Sequence, residues 1–323
     1  MKSPTTSPTG PALVNRLGPL LGLAVVYGLF AALAPDSFTG VRNMETIARQ
    51  TAVVGTAALG MTMVIIAGGI DLSVGSIIAL STVTIASCLA KGCSPLVAAS
   101  AGVLSGFLCG LLNGFIVTRL RVVPFIVTLG MLLAVRGIAK GFAHEQKVDA
   151  PWTALNGLLA SLPPDQRWVF VPPGVWIMLV LAVAVAVMLK YTRFGRYVLA
   201  IGSSEQTSRL SGIDVQRMKL MVYAGSAAFA GLAGVMQFSR LTVGDPTAAS
   251  GLELDVIAAV VIGGGSLSGG EGSIFGSLIG ALIMTVIRSG CAQMGLANWV
   301  QEIITGGIIV AAVALDRLRH RRA

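Results

Sequence analysis

Charge is what this 323-residue sequence has least of: only 11% of its residues are Asp, Glu, Lys or Arg. Soluble domains carry about 25%, so less than half the usual charge is available to cover a surface. Lipid must therefore be the solvent for much of the chain. Histidine occurs only as His144 and His320, which argues against a histidine-based metal site. The four cysteines, Cys88, Cys93, Cys109 and Cys291, have no metal-ligand spacing and read as small apolar packing residues. The sequence contains no G-x-x-x-x-G-K-[ST] and no H-E-x-x-H, and its glycine run at 263–272 fits neither G-x-G-x-x-G nor G-x-S-x-G. No catalytic residue, metal or cofactor is assigned to this chain. Any energy drawn from ATP must come from another subunit.

What is abundant is apolar. Hydrophobic residues make up 54% of the chain, its mean hydropathy is +0.83, and it has 40 glycines. In a bilayer, small residues let helices approach closely. Apolar segments run near 17–34, 50–68, 74–90, 95–118, 122–142, 171–190, 218–238, 253–266, 273–290 and 298–315. A bilayer core about 30 Å thick needs ~20 residues of helix, with ~17 as the lower limit. The expected fold is an all-α integral membrane protein of about ten transmembrane helices. Lys2, Arg16 and the Ala32-Leu33-Ala34 triplet give the first segment some signal-peptide character, but 18 apolar residues exceed the ~7–15 of a signal core, so it reads as a membrane helix.

The formal net charge of +9 does not point to nucleic acid, because the basic residues flank apolar segments. With ten crossings, Lys2, Arg16, Arg119, Arg121, Lys190, Arg193, Arg196, Arg209, Arg217, Lys219, Arg317, Arg319, Arg321 and Arg322 share one side, fourteen of the 23 Lys and Arg. Positive residues mark the cytoplasm, which gives an N-in, C-in topology. Residues 1–16, rich in Ser, Thr and Pro, read as a disordered cytoplasmic tail, and 317–323 as a basic one. The membrane-spanning body is 17–316, with an outer loop at 143–170 (Pro151, Pro163, Pro164, Trp152, Trp168) and an inner loop at 190–217.

Several residues stand out. Gly102, Gly106, Gly110 and Gly114 recur every four positions and line one stripe of a helix. Gly272, Gly276 and Gly280 form a second stripe; either serves for packing or for sliding between moving bundles. Asp71, in GGIDLSVGS, is a carboxylate at membrane depth: it either caps the helix that follows or lines a substrate path. Asn113, Thr118 and Thr128 could likewise face a path or bond to helix backbones. Glu253 and Asp255 open a helix, where its dipole favours acids. Arg136, Lys140 and Arg288 lie near outer helix ends. VIIAGG (64–69) is echoed by VVIGGG (260–265) on the same side, which does not fit an inverted repeat; the Gly-rich stretches 68–75 and 263–272 either cross or re-enter.

The inner loop, KYTRFGRYVLAIGSSEQTSRLSGIDVQRMK, is the most informative stretch. Ser203 and Gln206 form a capping-box pattern, Gly212 suits the position past a helix end, and Asp214 suits the start of the next membrane helix. A short helix over 203–213 is expected. Glu205, Arg209, Leu210 and Ile213 give it no large apolar face, which suits a protein partner better than lipid.

These residues bring in a family. The chain resembles the ribose-type monosaccharide permeases, membrane subunits of ABC importers, through MVIIAGGIDLSVGSIIAL (63–80) and NGFIVTRLRVVPFIVTLGMLLAVRGIA (113–139). GRYVLAIGSSEQTSRLSGIDVQRMKLMVY (195–223) and PTAASGLELDVIAAVVIGGGSLSGGEGSIFGSLIGALIM (246–284) match as well, so the likeness covers about residues 40–315. It implies two permease copies paired in the bacterial inner membrane, an ATP-hydrolysing subunit bound inside, and an extracytoplasmic sugar-binding protein outside. It also implies that 203–213 is the coupling helix that sits in a groove of the ATPase. Where the family often reads G-x-N-x-x-A-A-R-L-S-G-I, this chain has Ser203-Ser204-Glu205-Gln206-Thr207-Ser208 before Arg209-Leu210-Ser211-Gly212-Ile213. The competing readings are an ABC permease for a branched-chain amino acid or another small polar solute, and an ion-coupled secondary carrier, which would need charged relays inside its helices.

Overall fold

The structure, a computed structural model, describes residues 11–161 and 171–320, and the side-chain surroundings of all of these except 11–17, 312 and 315–320. Of the tails expected at 1–16 and 317–323, residues 1–10 and 321–323 lie outside the described residues, as do Pro163, Pro164 and Trp168 of the outer loop, whereas 11–16 and 317–320 are helical rather than tail-like.

All ten expected segments are helices: α1 (Pro11–Leu33), α2 (Val41–Ile66), α3 (Val74–Ala90), α4 (Pro95–Arg119), α5 (Pro124–Phe142), α6 (Pro173–Tyr191), α9 (Val215–Leu241), α10 (Leu252–Ile262), α11 (Ile274–Gln293) and α12 (Asn298–His320). Two more, α7 (Arg193–Ser203) and α8 (Glu205–Leu210), lie between α6 and α9. Helices α2, α4, α5, α6, α9 and α11 are each long and apolar enough to cross a membrane; α3 and the 18–33 part of α1 are apolar but shorter. Helix α10 is different. Its 11 residues extend only about 16 Å, half of a bilayer core.

The connections gather at two ends. At one, β1 (Val148–Asp149) pairs antiparallel with β2 (Val243–Gly244), and Ser37 bonds Gln293; this is called the strand end. The other, the α8 end, holds the α2–α3 break, α7, α8 and the loop between α10 and α11, joined where the Gly270 N–H donates to Ile66 O at 2.9 Å.

Burial separates core helices from peripheral ones. In the most apolar stretch of α2, 89% of residues are buried, and in that of α11, 78%, against 22% for α4 and 28% for α5. The outward faces of α4 and α5 carry Leu104, Leu108, Leu112, Phe115, Leu129 and Leu133, all largely exposed. Rows of exposed Leu and Phe along whole helices would be untenable in water and are ordinary against lipid.

Candidate functional site: the α8 end and the buried polar groups behind it

Helix α8 is built from its caps. Ser204, with extended backbone, accepts the Thr207 N–H at 3.2 Å on its side-chain oxygen. At the other end Gly212 turns into the left-handed region at φ 81°, its N–H bonding Arg209 O while the Ile213 N–H bonds Ser208 O. That is the Schellman closure. Asp214 then accepts the Arg217 N–H at 3.0 Å and starts α9. The cap is one residue later than the sequence pattern placed it. Ser203 is not the cap but the last residue of α7, its hydroxyl bonded back to Leu199 O at 3.0 Å. Gln206 stands exposed, and Thr207 takes the place expected for it.

Two ion pairs brace α8. Glu205 meets Arg209 at 2.9 Å one turn on, and Lys219 of α9 at 2.6 Å. The Lys219 hydrogen bond, more than the other contacts, holds the Glu205 carboxyl below its ordinary range. All three residues, with Arg121, line a groove of about 320 Å³ between α8–α9 and the α4–α5 turn. Ser208 is the buried residue of the helix, whereas Leu210 is 83% exposed. Leu210 thus projects outward from a helix capped at both ends.

Sequence reasoning did not separate α7 from the loop, although the signal was present. Phe194, Gly195, Val198, Ile201 and Gly202 recur at helical spacing, and Val198 and Ile201 are buried. A Cβ on Gly202 would collide with Ile66 O and the Gly270 N–H. The helix leading into α8 thus rests directly on the end of α2 and on the loop after α10. The echo between VIIAGG and VVIGGG has a local meaning there. Gly68 (φ 77°) and Gly264 (φ 92°) end α2 and α10 with the same paired bonds, Gly69 N–H to Val64 O and Gly265 N–H to Val260 O. Both stretches are helix-ending turns at one end of the bundle.

Asp71 is not the cap of α3. That helix begins at Val74 after Ser73, which makes no side-chain cap bond. Asp71 instead folds the break upon itself: its Oδ1 accepts from the Ser73 N–H at 2.9 Å and from the Ser73 hydroxyl at 2.6 Å. The Asn113 amide donates to the same Ser73 oxygen at 2.9 Å. Asp71, Ser73 and Asn113 are fully buried, and Asp71 Oδ2, Asn113 Oδ1 and the Tyr223 hydroxyl have no hydrogen-bond partner among the described residues. A buried polar node with unpaired atoms is costly, and its internal hydrogen bonds together with the packing around it must offset that cost. Thr128 bonds Ile70 O at 3.2 Å, tying α5 to the break, and Thr118 bonds Gly114 O within its own helix.

Packing seams surround this node. Gly106 and Gly110 lie against Ala227, Gly231, Tyr223 and Ala224 of α9, and Gly114 against Leu220; Gly102 faces Ser81 and Ile85 of α3 as well. Gly276 and Gly280 press on Gly263 and Ala259 of α10, while Gly272 precedes α11 and touches Ile66 instead. At the strand end Arg136 donates to Pro246 O and Ala248 O at 3.0 and 2.6 Å. Glu253 and Asp255 do open α10, yet both are buried, and Asp255 meets Arg288 of α11 at 2.6 Å. Sequence gave no way to pair those two residues, which are 33 positions apart.

The comparisons agree with one another. Residues 43–313 match the family described as branched-chain amino acid transport system / permease component. The chain is 41% identical to ribose import permease protein RbsC of Escherichia coli (strain K12) over 301 residues, 93% of each chain. It is 39% identical to the protein of that name from Bacillus subtilis (strain 168), over 94% of each. With L-arabinose ABC transporter permease protein AraH of Azospirillum brasilense it shares 34% over 96% of this chain and 90% of that one. No solved structure matches. A chain that carries this family's pattern over most of its length, on a bundle of apolar helices, belongs to the branched-chain amino acid transport system / permease component family and is a multi-pass membrane permease.

Proposed function

We propose that this chain is the membrane-spanning subunit of an ATP-driven importer that passes a monosaccharide across the bacterial cytoplasmic membrane by alternating access. The observation that carries the reading is α8: a six-residue helix, capped at both ends, braced on α9, and presenting Leu210 outward. A rigid projection of this kind suits docking in a groove of an ATPase subunit, with Glu205, Gln206, Arg209 and Leu210 toward the partner. The named relatives are permeases for ribose and L-arabinose, which favours a sugar over an amino acid. The chain itself supplies no phosphate-binding loop, so hydrolysis is assigned to the partner.

In this reading the α8 end, where Arg119, Arg121, Lys190, Arg193 and Arg196 concentrate, faces the cytoplasm together with both termini. The strand end then faces the sugar-binding protein, and a second permease copy pairs with this one in the bilayer. Reconstitution in proteoliposomes tests the reading. Uptake of D-ribose, L-arabinose or D-allose should require this chain, an ATPase subunit, a binding protein and ATP together. Uptake driven by a proton gradient with the ATPase left out would sink it.

A further inference from the structure

At the strand end α2, α9, α10 and α11, with the first turn of α12, enclose a cavity of about 470 Å³, within the ~300–1,000 Å³ of small-molecule sites. Part of its wall is closed on itself. Asn43 donates to Phe38 O, and its own oxygen accepts from Ser289 at 2.8 Å. The rest is not. Gln237 is 4% exposed and lines the cavity, yet neither it nor Gln50 nor Arg240 has a hydrogen-bond partner among the described residues; the Arg240 Nε is buried and unpaired. Asp255, 1% exposed, touches Arg288 through Oδ2 in a charge contact and leaves Oδ1 without a donor.

Buried polar atoms left unpaired are costly; two of them, Arg240 Nε and Asp255 Oδ1, lie at this cavity beside the unbonded side-chain amides of Gln50 and Gln237, and the set calls for a ligand. Their chemistry narrows its class. Two amides each donate and accept, Arg240 only donates, and Asp255 only accepts. An anion would be opposed by Asp255 and a cation by Arg240 and Arg288. A neutral molecule with several hydroxyls, each both donor and acceptor, satisfies the whole set. We propose that this cavity is the strand-end station of the translocation path, holding a polyhydroxylated solute through Gln50, Gln237, Arg240 and Asp255. The proposal rests on the sugar-importer reading and adds to it the residues that meet the sugar. Asp71 and Asn113 do not line this cavity.

The test uses the complete importer in proteoliposomes, with uptake of radiolabelled D-ribose, L-arabinose and D-allose as probes, and with complex assembly and basal ATP hydrolysis measured alongside. Gln237→Leu should lower uptake of the transported sugar about tenfold or more, while assembly and basal hydrolysis stay within twofold. Gln237→Asn, which keeps the amide but withdraws it, should lower uptake less and serves if the leucine variant fails to assemble. Wild-type complex that carries a sugar, with Gln237→Leu or Gln237→Asn, Gln50→Leu and Asp255→Asn all carrying it at the wild-type rate, overturns the cavity assignment and leaves the importer reading intact. Wild-type complex that carries leucine and none of the three sugars overturns the ligand class and the sugar reading with it.

Discussion

At the α8 end, side-chain polar groups mostly close on nearby backbone, with Ser204 on Thr207, Asp214 on Arg217, Asp71 on Ser73 and Thr118 on Gly114, and the unpaired atoms of Asp71, Asn113 and Tyr223 are sealed in packing behind them. At the strand end, Gln50, Gln237, Arg240 and Asp255 surround a cavity with bonding capacity unused. Local closure makes stiff turns, because each bond spans two to four residues and is formed as soon as the turn is. Open polar groups make a surface whose stability depends on what enters. Under the proposed function, rigidity falls to one end and solute contact to the other, and substitutions can probe each half separately.

The largest effect should come from the seam behind the stiff end. A Cβ at Gly106 would collide with Ala227 O and approach Gly231 Cα at 3.0 Å, so Gly106→Leu should prevent α4 from seating on α9. Overpacking costs about 1–3 kcal/mol, sometimes more. The expected result is loss of monodisperse protein on size exclusion in detergent. Gly137, with nothing within 4 Å of its would-be Cβ, is the control: Gly137→Ala should be neutral or raise the melting temperature slightly. Equal behaviour of the two variants would remove the seam from the account.

Next in size is the Asp71 node. Asp71→Leu strands the Ser73 N–H, for a loss of about 1–3 kcal/mol, and should reduce folded yield. Asp71→Asn keeps an oxygen where Oδ1 now accepts, so folded yield and uptake should both remain near wild type. If the asparagine variant folds but does not transport, the carboxylate has a task beyond holding the break.

Smaller for stability, though not for activity, is Arg209→Glu. The Glu205–Arg209 pair is exposed and such pairs contribute about 0.2–1 kcal/mol, and Lys219 remains to brace α8. The variant should therefore melt like wild type while losing ATPase association in a pull-down and ATP-driven uptake. Normal assembly would take Arg209 off the docking surface.

The smallest expected effect is a pH dependence at α8. The Glu205 carboxyl lies below its ordinary 4.5 in the folded protein, so its pairs contribute fully above that pH and the contribution disappears as pH falls through the lower folded value. Glu205→Gln should flatten the acid limb of a melting-temperature profile by a small amount, since the side chain is nearly half exposed. A profile unchanged by the substitution would show that the pairs add nothing.

How far these features could be read from sequence follows from their range. Helices with apolar runs of 17 or more residues were legible, as were Gly212 and Asp214, because each cap is decided within four positions. The Ser203 cap went wrong by one residue because two serines adjoin and only the length of α7 decides between them. Helix α7 has polar residues on one face, which makes it read as part of the loop. Asp71 was read against the wrong competitor: its carboxylate bonds two residues ahead and completes the break, so the helix starts later. The cavity could not be read at all, since Gln50, Gln237 and Asp255 come from three helices and meet only when those helices pack.

The contact between Gly202, Ile66 and Gly270 couples α7 to two helices in unequal ways. Helix α7 bears on the end of α2 and on the loop after α10, and both of those helices run from there to the cavity wall. Along α2 the distance from Ile66 to Gln50 is about 24 Å, and along α10 from Ile262 to Asp255 about 10 Å. A tilt at the junction therefore reaches Gln50 along one continuous helix, but reaches Asp255 only through the loop between Ile262 and Gly270, so the two walls of the cavity are driven with unequal stiffness.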